Sequence, residues 1–285
     1  MAKRRKENEA AAPVPETPVS GMQAVKEDAA PAAAVPPGPE PAHASSVECP
    51  LCGGASAGEA PPGFARCGVC GVLFREERLS PDELARLREH EFKDAFALPH
   101  HEAKRAAKKQ ALDAMRGYFR VKTGKPAPLN AFGRNLLEVG CGLGFGLRAY
   151  SDYGWTVFGT ESAVTAFEYS KRQMFDVRHG LLEDAGFGKT RFDLVVFPGG
   201  FGELPDPKGA LERLKGLLHP HGLVCVVSRC IPDDGEMPPV KSDEQFVFTR
   251  DALAALFERN GFEALPREEG ASAVAFWFRL RREDD

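Results

Sequence analysis

The sequence predicts an α/β fold built on a doubly wound, mostly parallel sheet, preceded by a small cysteine-rich segment. Three observations carry this expectation. From about residue 135 onward, short apolar runs alternate with helical stretches, the pattern of parallel strands joined by crossover helices. The first of those runs leads straight into the glycine-rich turn Gly140-Cys-Gly142-Leu-Gly144-Phe-Gly146. Upstream lie two Cys-x-x-Cys pairs, Cys49/Cys52 and Cys67/Cys70.

Residues 1–46 are dominated by Ala, Pro, Glu and Lys and hold too few branched or aromatic side chains to offset chain entropy, so they read as a disordered leader. The basic run from Lys3 to Lys6 at its tip is read as a solvated tail. Residues 47–77 form the cysteine segment. Residues 78–128 read as linking helices: Ser80 is placed as N-cap and Pro81 at the first helical position, with acids in the first turn. Leu84, Leu87 and Phe92 then recur at helical spacing, and a second helix is expected over 102–119.

The remaining domain spans 129–285. Strands are expected over 135–139, 156–160, 194–197, 223–228 and 273–280, with helices over 162–174 and 207–218. Thr249 caps a last helix that Gly261 stops. At 285 residues, with 43% apolar content, the chain can hold one such domain plus a small unit, at roughly 100–200 residues per domain.

A formal charge of −4 argues against a surface dedicated to nucleic acid. No stretch reaches the roughly 20 apolar residues of a membrane span. The start of the chain lacks the apolar core of a secretory signal, so the protein is expected in the cytoplasm, where thiols stay reduced.

In that compartment two Cys-x-x-Cys turns separated by 14 residues point to metal rather than disulfides. Cys49, Cys52, Cys67 and Cys70 can close a tetrahedral four-thiolate shell around zinc. Such a shell has no open position, so the expected role is structural, stabilising a segment too short to hold a core alone.

Glycines at the turn let backbone approach a ligand closely, and the helix start behind them offers unpaired N–H groups. Glu161 ends the next strand, 21 residues after Gly140, where an acid can accept both hydroxyls of a ribose. Glu138 lies inside the first strand, which a nicotinamide site does not ordinarily require. An interior acid needs a charged or hydrogen-bonding partner. The ammonium of a bound amino-acid moiety would serve, as would water or backbone N–H groups.

The run Glu138-Val-Gly140-Cys-Gly142-Leu-Gly144 resembles the first motif of class I S-adenosylmethionine-dependent methyltransferases. Gly159-Thr-Glu161-Ser matches that family's ribose-binding acid, Phe192-Asp193-Leu-Val-Val its fourth strand, and Pro205-Asp-Pro207 and His219-Pro-His221-Gly222 its later turns. The resemblance covers about residues 130–280. It implies a Rossmann-like, seven-stranded sheet with Glu138, Gly140, Gly142, Gly144 and Glu161 at the cofactor.

By the same resemblance Glu183 or Asp184 approaches the adenine amine, although both also suit a solvated loop, and Phe197 and Pro198 flank the adenosine or methionine portion. Where quinone-type relatives carry an acid and a histidine, this chain has Gly202 and Glu203. Glu203 is the candidate general base for in-line attack on the sulfonium methyl, against the reading of an exposed loop carboxylate. His219 and His221 are expected at the surface, Cys141 as a small side chain in the cofactor loop, and 233–239 as a loop near the acceptor.

The function implied is methyl transfer to a small-molecule acceptor such as a sugar, lipid or secondary metabolite, with S-adenosylmethionine and zinc as cofactors. Two alternatives stand beside it. One is an RNA or protein methyltransferase docked through the zinc segment and the basic helix carrying Lys104, Arg105, Lys108 and Lys109. The other is a non-catalytic cofactor-binding scaffold, motivated by the residue-poor stretch 198–202.

Overall fold

The computed structural model describes residues 47–94, 135–152, 154–232, 239–269 and 274–281. The expected leader, the helix over 102–119 with its basic cluster, and most of the loop 233–239 lie outside the described residues. Among those described, no helix is long and apolar enough to cross a membrane.

Among the described residues, β1 (Phe64–Arg66) and β2 (Leu73–Arg75) form a hairpin, followed by helix α1 (Pro81–Asp94). Helix α1 opens as expected. The Ser80 N–H donates to Glu83 Oε2 at 2.8 Å, and Ser80 Oγ accepts from the Glu83 N–H at 3.3 Å, a reciprocal capping box. Leu84 is buried beneath it, whereas Leu87, expected on the same apolar face, is exposed. The reason lies in the row Leu84, Arg88, Phe92: this i, i+4 line faces the domain, and Leu87 stands beside it.

The main sheet uses β3 (Asn135–Val139), β4 (Thr156–Glu161), β5 (Asp176–His179), β6 (Phe192–Phe197), β7 (Leu218–Ser228), β10 (Phe262–Glu269) and β11 (Val274–Leu280). Their order is β10-β11-β7-β6-β3-β4-β5. The five from β5 to β7 are parallel, and β11 is antiparallel to both neighbours. Helices α2 (Phe145–Asp152), α3 (Val164–Arg172), α4 (Pro207–Leu217) and α5 (Arg250–Arg259) complete the crossovers.

Alternate residues of each strand feed opposite faces. Leu137, Val139, Val195 and Phe197 join one apolar cluster with α4 and α5, while Leu136, Leu194, Val196 and Trp277 join another beneath α2. Thr249 caps α5, its hydroxyl accepting from the Ala252 N–H at 3.1 Å.

Three strands of the main sheet exceed what periodicity indicated. Strand β5 buries only Val177, and β10 is an edge strand that carries Pro266 and a register shift, so neither presents an alternating apolar run. Strand β7 begins at Leu218 rather than at 223. The turn expected at His219 and His221 is therefore extended backbone, because Leu218 already pairs with Phe192 before a register shift. Of the two histidines, His221 is exposed and His219 half-buried.

A second sheet, ordered β1-β2-β9-β8, ties the cysteine hairpin to the domain. Strand β9 (Phe246–Thr249) pairs antiparallel with β2 on one side and parallel with β8 (Cys230–Ile231) on the other. The backbone of β9 presses directly on the short 3₁₀ turn Phe201–Glu203. The Gln245 N–H donates to Gly202 O at 2.9 Å, and a Cβ on Gly202 would stand 2.4 Å from Phe246 O. A side chain at position 202 therefore has no room beside β9.

Gly202→Ala therefore forces β9 away from the turn. We expect a loss of about 1–3 kcal/mol, the usual scale of overpacking, read as a lower midpoint in urea denaturation.

Candidate functional site

The sheet reverses its winding between β3 and β6, and α/β proteins bind ligands at the carboxyl ends of strands at such a point. A cavity of about 390 Å³ opens there. The β3–α2 turn forms its floor. Gly140 and Gly142 adopt φ +70° and +55°, a left-handed backbone that β-carbon-bearing residues resist, and a Cβ at Gly140 would meet nothing within 4 Å. That backbone thus borders open space wide enough for a ligand.

Glu161 closes one wall at the end of β4. Its carboxylate is almost wholly buried, and each oxygen is held by one backbone N–H: Oε2 by Gly142 and Oε1 by Ala163, both at 2.8 Å. Two charge-assisted bonds fix the carboxylate in place and leave each oxygen a further lone pair. Phe197 and Pro198 line the opposite wall at the end of β6. Cys141 is buried, with its Sγ packed against Gly159.

Glu203 also lines the cavity, so it is not an exposed loop carboxylate; its side chain is only 13% exposed. Burial pushes its carboxyl above the usual range, against the pull of Arg88, with Asp243 adding to the rise and Lys241 opposing it. Arg88 Nη2 bonds Glu203 Oε2 at 2.8 Å, and Lys241 Nζ lies 3.7 Å from Oε1. Arg88 donates as well to Ser162 Oγ at 3.2 Å.

Four expected positions lie elsewhere. Glu138 does not line the cavity: its carboxylate sits under the first turn of α2, where a Gly146 Cβ would come within 2.2 Å. The positive end of that helix complements it, the backbone N–H alternative among the partners expected for it. Gly144 is absent from the lining too, and packs against Phe175 and Ser170. Neither Glu183 nor Asp184 reaches the cavity; Leu181 and Leu182 line it instead. Asp184 is exposed, and burial beside Asp206 and Asp184 raises the Glu183 carboxyl.

Arg88, Phe92 and Lys241 were not among the residues anticipated at the site. Arg88 had one signal, a cation in line with Leu84 and Phe92 on the inward row of α1. Helix α1 is latched over the site by Glu89, which accepts from the Thr165 N–H at 3.0 Å and from its hydroxyl. That bond serves the start of α3, where Ala163 at the N-cap has no side chain able to cap. Lys241 had no local signal, because its approach to Glu203 depends on a segment far along the chain.

The cysteine segment builds a separate cluster. The Sγ atoms of Cys49, Cys52, Cys67 and Cys70 all lie within 4.8 Å of one another. The two turns close alike, Gly53 N–H to Cys49 O at 2.8 Å and Gly71 N–H to Cys67 O at 3.0 Å. Burial pushes the Cys49 and Cys70 thiols up. At Cys67 burial acts the same way, but the N–H groups of Cys70 and Val69 outweigh it and draw the thiol down to about 7. Converging thiols with one already poised to ionise are a donor set suited to a thiophilic cation.

The chain is similar to several known proteins. A ubiquinone biosynthesis O-methyltransferase of Actinobacillus pleuropneumoniae serotype 5b is 28% identical over 104 residues, 33% of this chain and 44% of that protein. The chain therefore spans less than half the length of the curated relative. Among solved structures, a glycopeptide N-methyltransferase, MtfA, complexed with S-adenosyl-L-methionine, aligns at 15% identity and TM-score 0.44, over 52% of this chain and 82% of that one. An S-adenosylmethionine-dependent methyltransferase from Clostridium acetobutylicum aligns at 8% identity and TM-score 0.43, over 52% and 85%. A methyltransferase-domain family matches residues 88–266, which begins at the Arg88 that reaches the cavity and takes in every lining residue. With more than half of its length matched, the chain belongs to the methyltransferase-domain family.

Proposed function

We propose that the protein transfers a methyl group from S-adenosylmethionine to a small-molecule acceptor, in a domain braced by a structural zinc ion. The observation that carries the reading is Glu161, a buried carboxylate pinned by two N–H groups at the wall of a glycine-floored cavity. Its remaining lone pairs suit the two hydroxyls of a ribose. Gly140 and Gly142 allow backbone to approach the donor, and Phe197, Pro198 and Leu182 supply apolar walls. When bound, the donor supplies a methyl carbon already activated by its sulfonium.

The remaining work falls to this chain. Enclosure in the cavity aligns the acceptor, and Glu203 is the group suited to take its proton on a carboxylate oxygen. Arg88 holds that carboxylate in position through its 2.8 Å bond. The stretch 198–202 has few functional side chains of its own, but Arg88 and Lys241 are supplied from other elements, which favours turnover over a non-catalytic scaffold. Similarity to a ubiquinone biosynthesis O-methyltransferase supports a small-molecule acceptor. The four converging thiols support zinc.

Three measurements test this reading. Calorimetric titration with S-adenosylhomocysteine should give a complex that Glu161→Ala weakens about ten- to hundredfold, the loss expected when charged hydrogen bonds at roughly 1.5–3 kcal/mol are removed. No binding to the unaltered protein would end the proposal. Tritium transfer from labelled donor into a cell extract should fall as pH drops through a midpoint above the ordinary carboxylate range, since the base acts only when ionised. Glu203→Gln should remove that limb and slow transfer about 10²–10⁴-fold. Elemental analysis should find zinc in the purified protein and none in Cys67→Ser, with a lower unfolding temperature for the variant.

A further inference from the structure

Residues 239–245, just before β9, bring Lys241 to the lining of the cavity, and they are anchored from outside the main sheet. Arg75, the last residue of β2 in the cysteine hairpin, donates from Nε to Glu244 O at 3.1 Å and from Nη2 to Ser242 O at 2.9 Å. Its own N–H donates to Gln245 O at 2.9 Å. The guanidinium also lies over the Phe64 ring, 4.7 Å from its centre, so β1 and β2 together set its direction. A planar fork that bonds two carbonyls and stacks on an aromatic face has little freedom left.

The segment is tied at other points as well. Arg229 bonds Glu244 Oε1 at 2.6 Å and Pro239 O at 3.2 Å, and the Lys241 N–H donates to Glu244 Oε2 at 2.8 Å. Glu244 is 7% exposed, so it serves as an internal strut. Residues 239–245 thus form a strap whose backbone is gripped by Arg75 and Arg229 and whose free end is the Lys241 ammonium, 3.7 Å from Glu203.

We propose that Arg75 is a positioning residue: from the cysteine hairpin it fixes the strap so that Lys241 faces Glu203 and completes the charged end of the methyl-transfer cavity. The inference rests on the reading of Glu203 as the acceptor-side carboxylate. It gives the cysteine hairpin a part in the site beyond stabilising the fold. Glu203 faces Arg88 from α1 and Lys241 and Asp243 from the strap, so displacing the strap removes the opposing charges of Lys241 and Asp243 together while Arg88 stays.

The test is the titration of Glu203 itself, followed by carbon-13 NMR in the full, metal-loaded chain labelled at glutamate carboxylates, with Glu203→Gln identifying the resonance. Lys241→Ala should move the midpoint upward, because an opposite charge that favours the ionised form is lost. Arg75→Ala releases the strap and with it both charges, of which Asp243 is the larger influence, so the midpoint should fall, and in that background Lys241→Ala should no longer raise it. Arg75→Lys, which retains the charge but cannot bond two carbonyls at once, should shift it less, and it replaces Arg75→Ala if that variant does not fold. A midpoint unmoved or raised by Arg75→Ala or Arg75→Lys, unmoved by Lys241→Ala, or raised by Lys241→Ala as much in the Arg75→Ala background as in the unaltered chain would overturn the proposal. The titration is read without turnover, so a failure of Glu203→Gln to slow methyl transfer would strike the assignment of the base and leave this result standing.

Discussion

The contact on which the rest is arranged is the backbone of β9 lying against the turn at Gly202. Strand β9 is four residues long, yet it pairs with the cysteine hairpin on one edge and with β8 on the other. Its Phe246 carbonyl leaves no room for a side chain at Gly202, and the adjacent Gln245 amide bonds the same turn. That turn ends in Glu203. The position of a functional carboxylate is thereby set by backbone from an element that the parallel sheet does not contain. Phe201, Phe246 and Phe248 pack on one another behind it and join the same apolar cluster as Cys49, Cys67 and Val72.

Three carboxylates are buried in and around the cavity, and each escapes the cost of burial differently. Glu138 lies under the start of α2, where the helix presents its positive end. Glu161 accepts from two backbone N–H groups that belong to two successive βα turns, so one side chain couples the glycine turn to the start of α3. Glu203 is met by the Arg88 guanidinium, and burial still raises its proton affinity. Two of these solutions use backbone and are rigid. The third uses a side chain carried on α1.

Helix α1 illustrates how local and distant forces divide the work. Its start follows from Ser80, Pro81 and Glu83 alone, since the capping box needs only residues three apart. Its placement over the cavity does not. That comes from Glu89 bonding the beginning of α3, from Leu84 in the core and from Phe92 against Leu143 and Ala163.

The sequence by itself determined whatever depends on short-range chemistry. The strand over 135–139, the glycine turn, the acid closing the next strand, the caps at Ser80 and Thr249 and the two matching cysteine turns are each written within a few residues. Tertiary structure decided the rest. An acid within a strand can face a ligand or a helix end, and only the packing of α2 on β3 put Glu138 on the latter side. Glu183 and Asp184 follow a strand as a base-reading acid would, yet the chain turns Leu181 and Leu182 inward in their place. Arg88 and Lys241 meet Glu203 across separations of 115 and 38 residues. No local pattern encodes such a meeting, because long-range position is the sum of every strand pairing and helix packing in between.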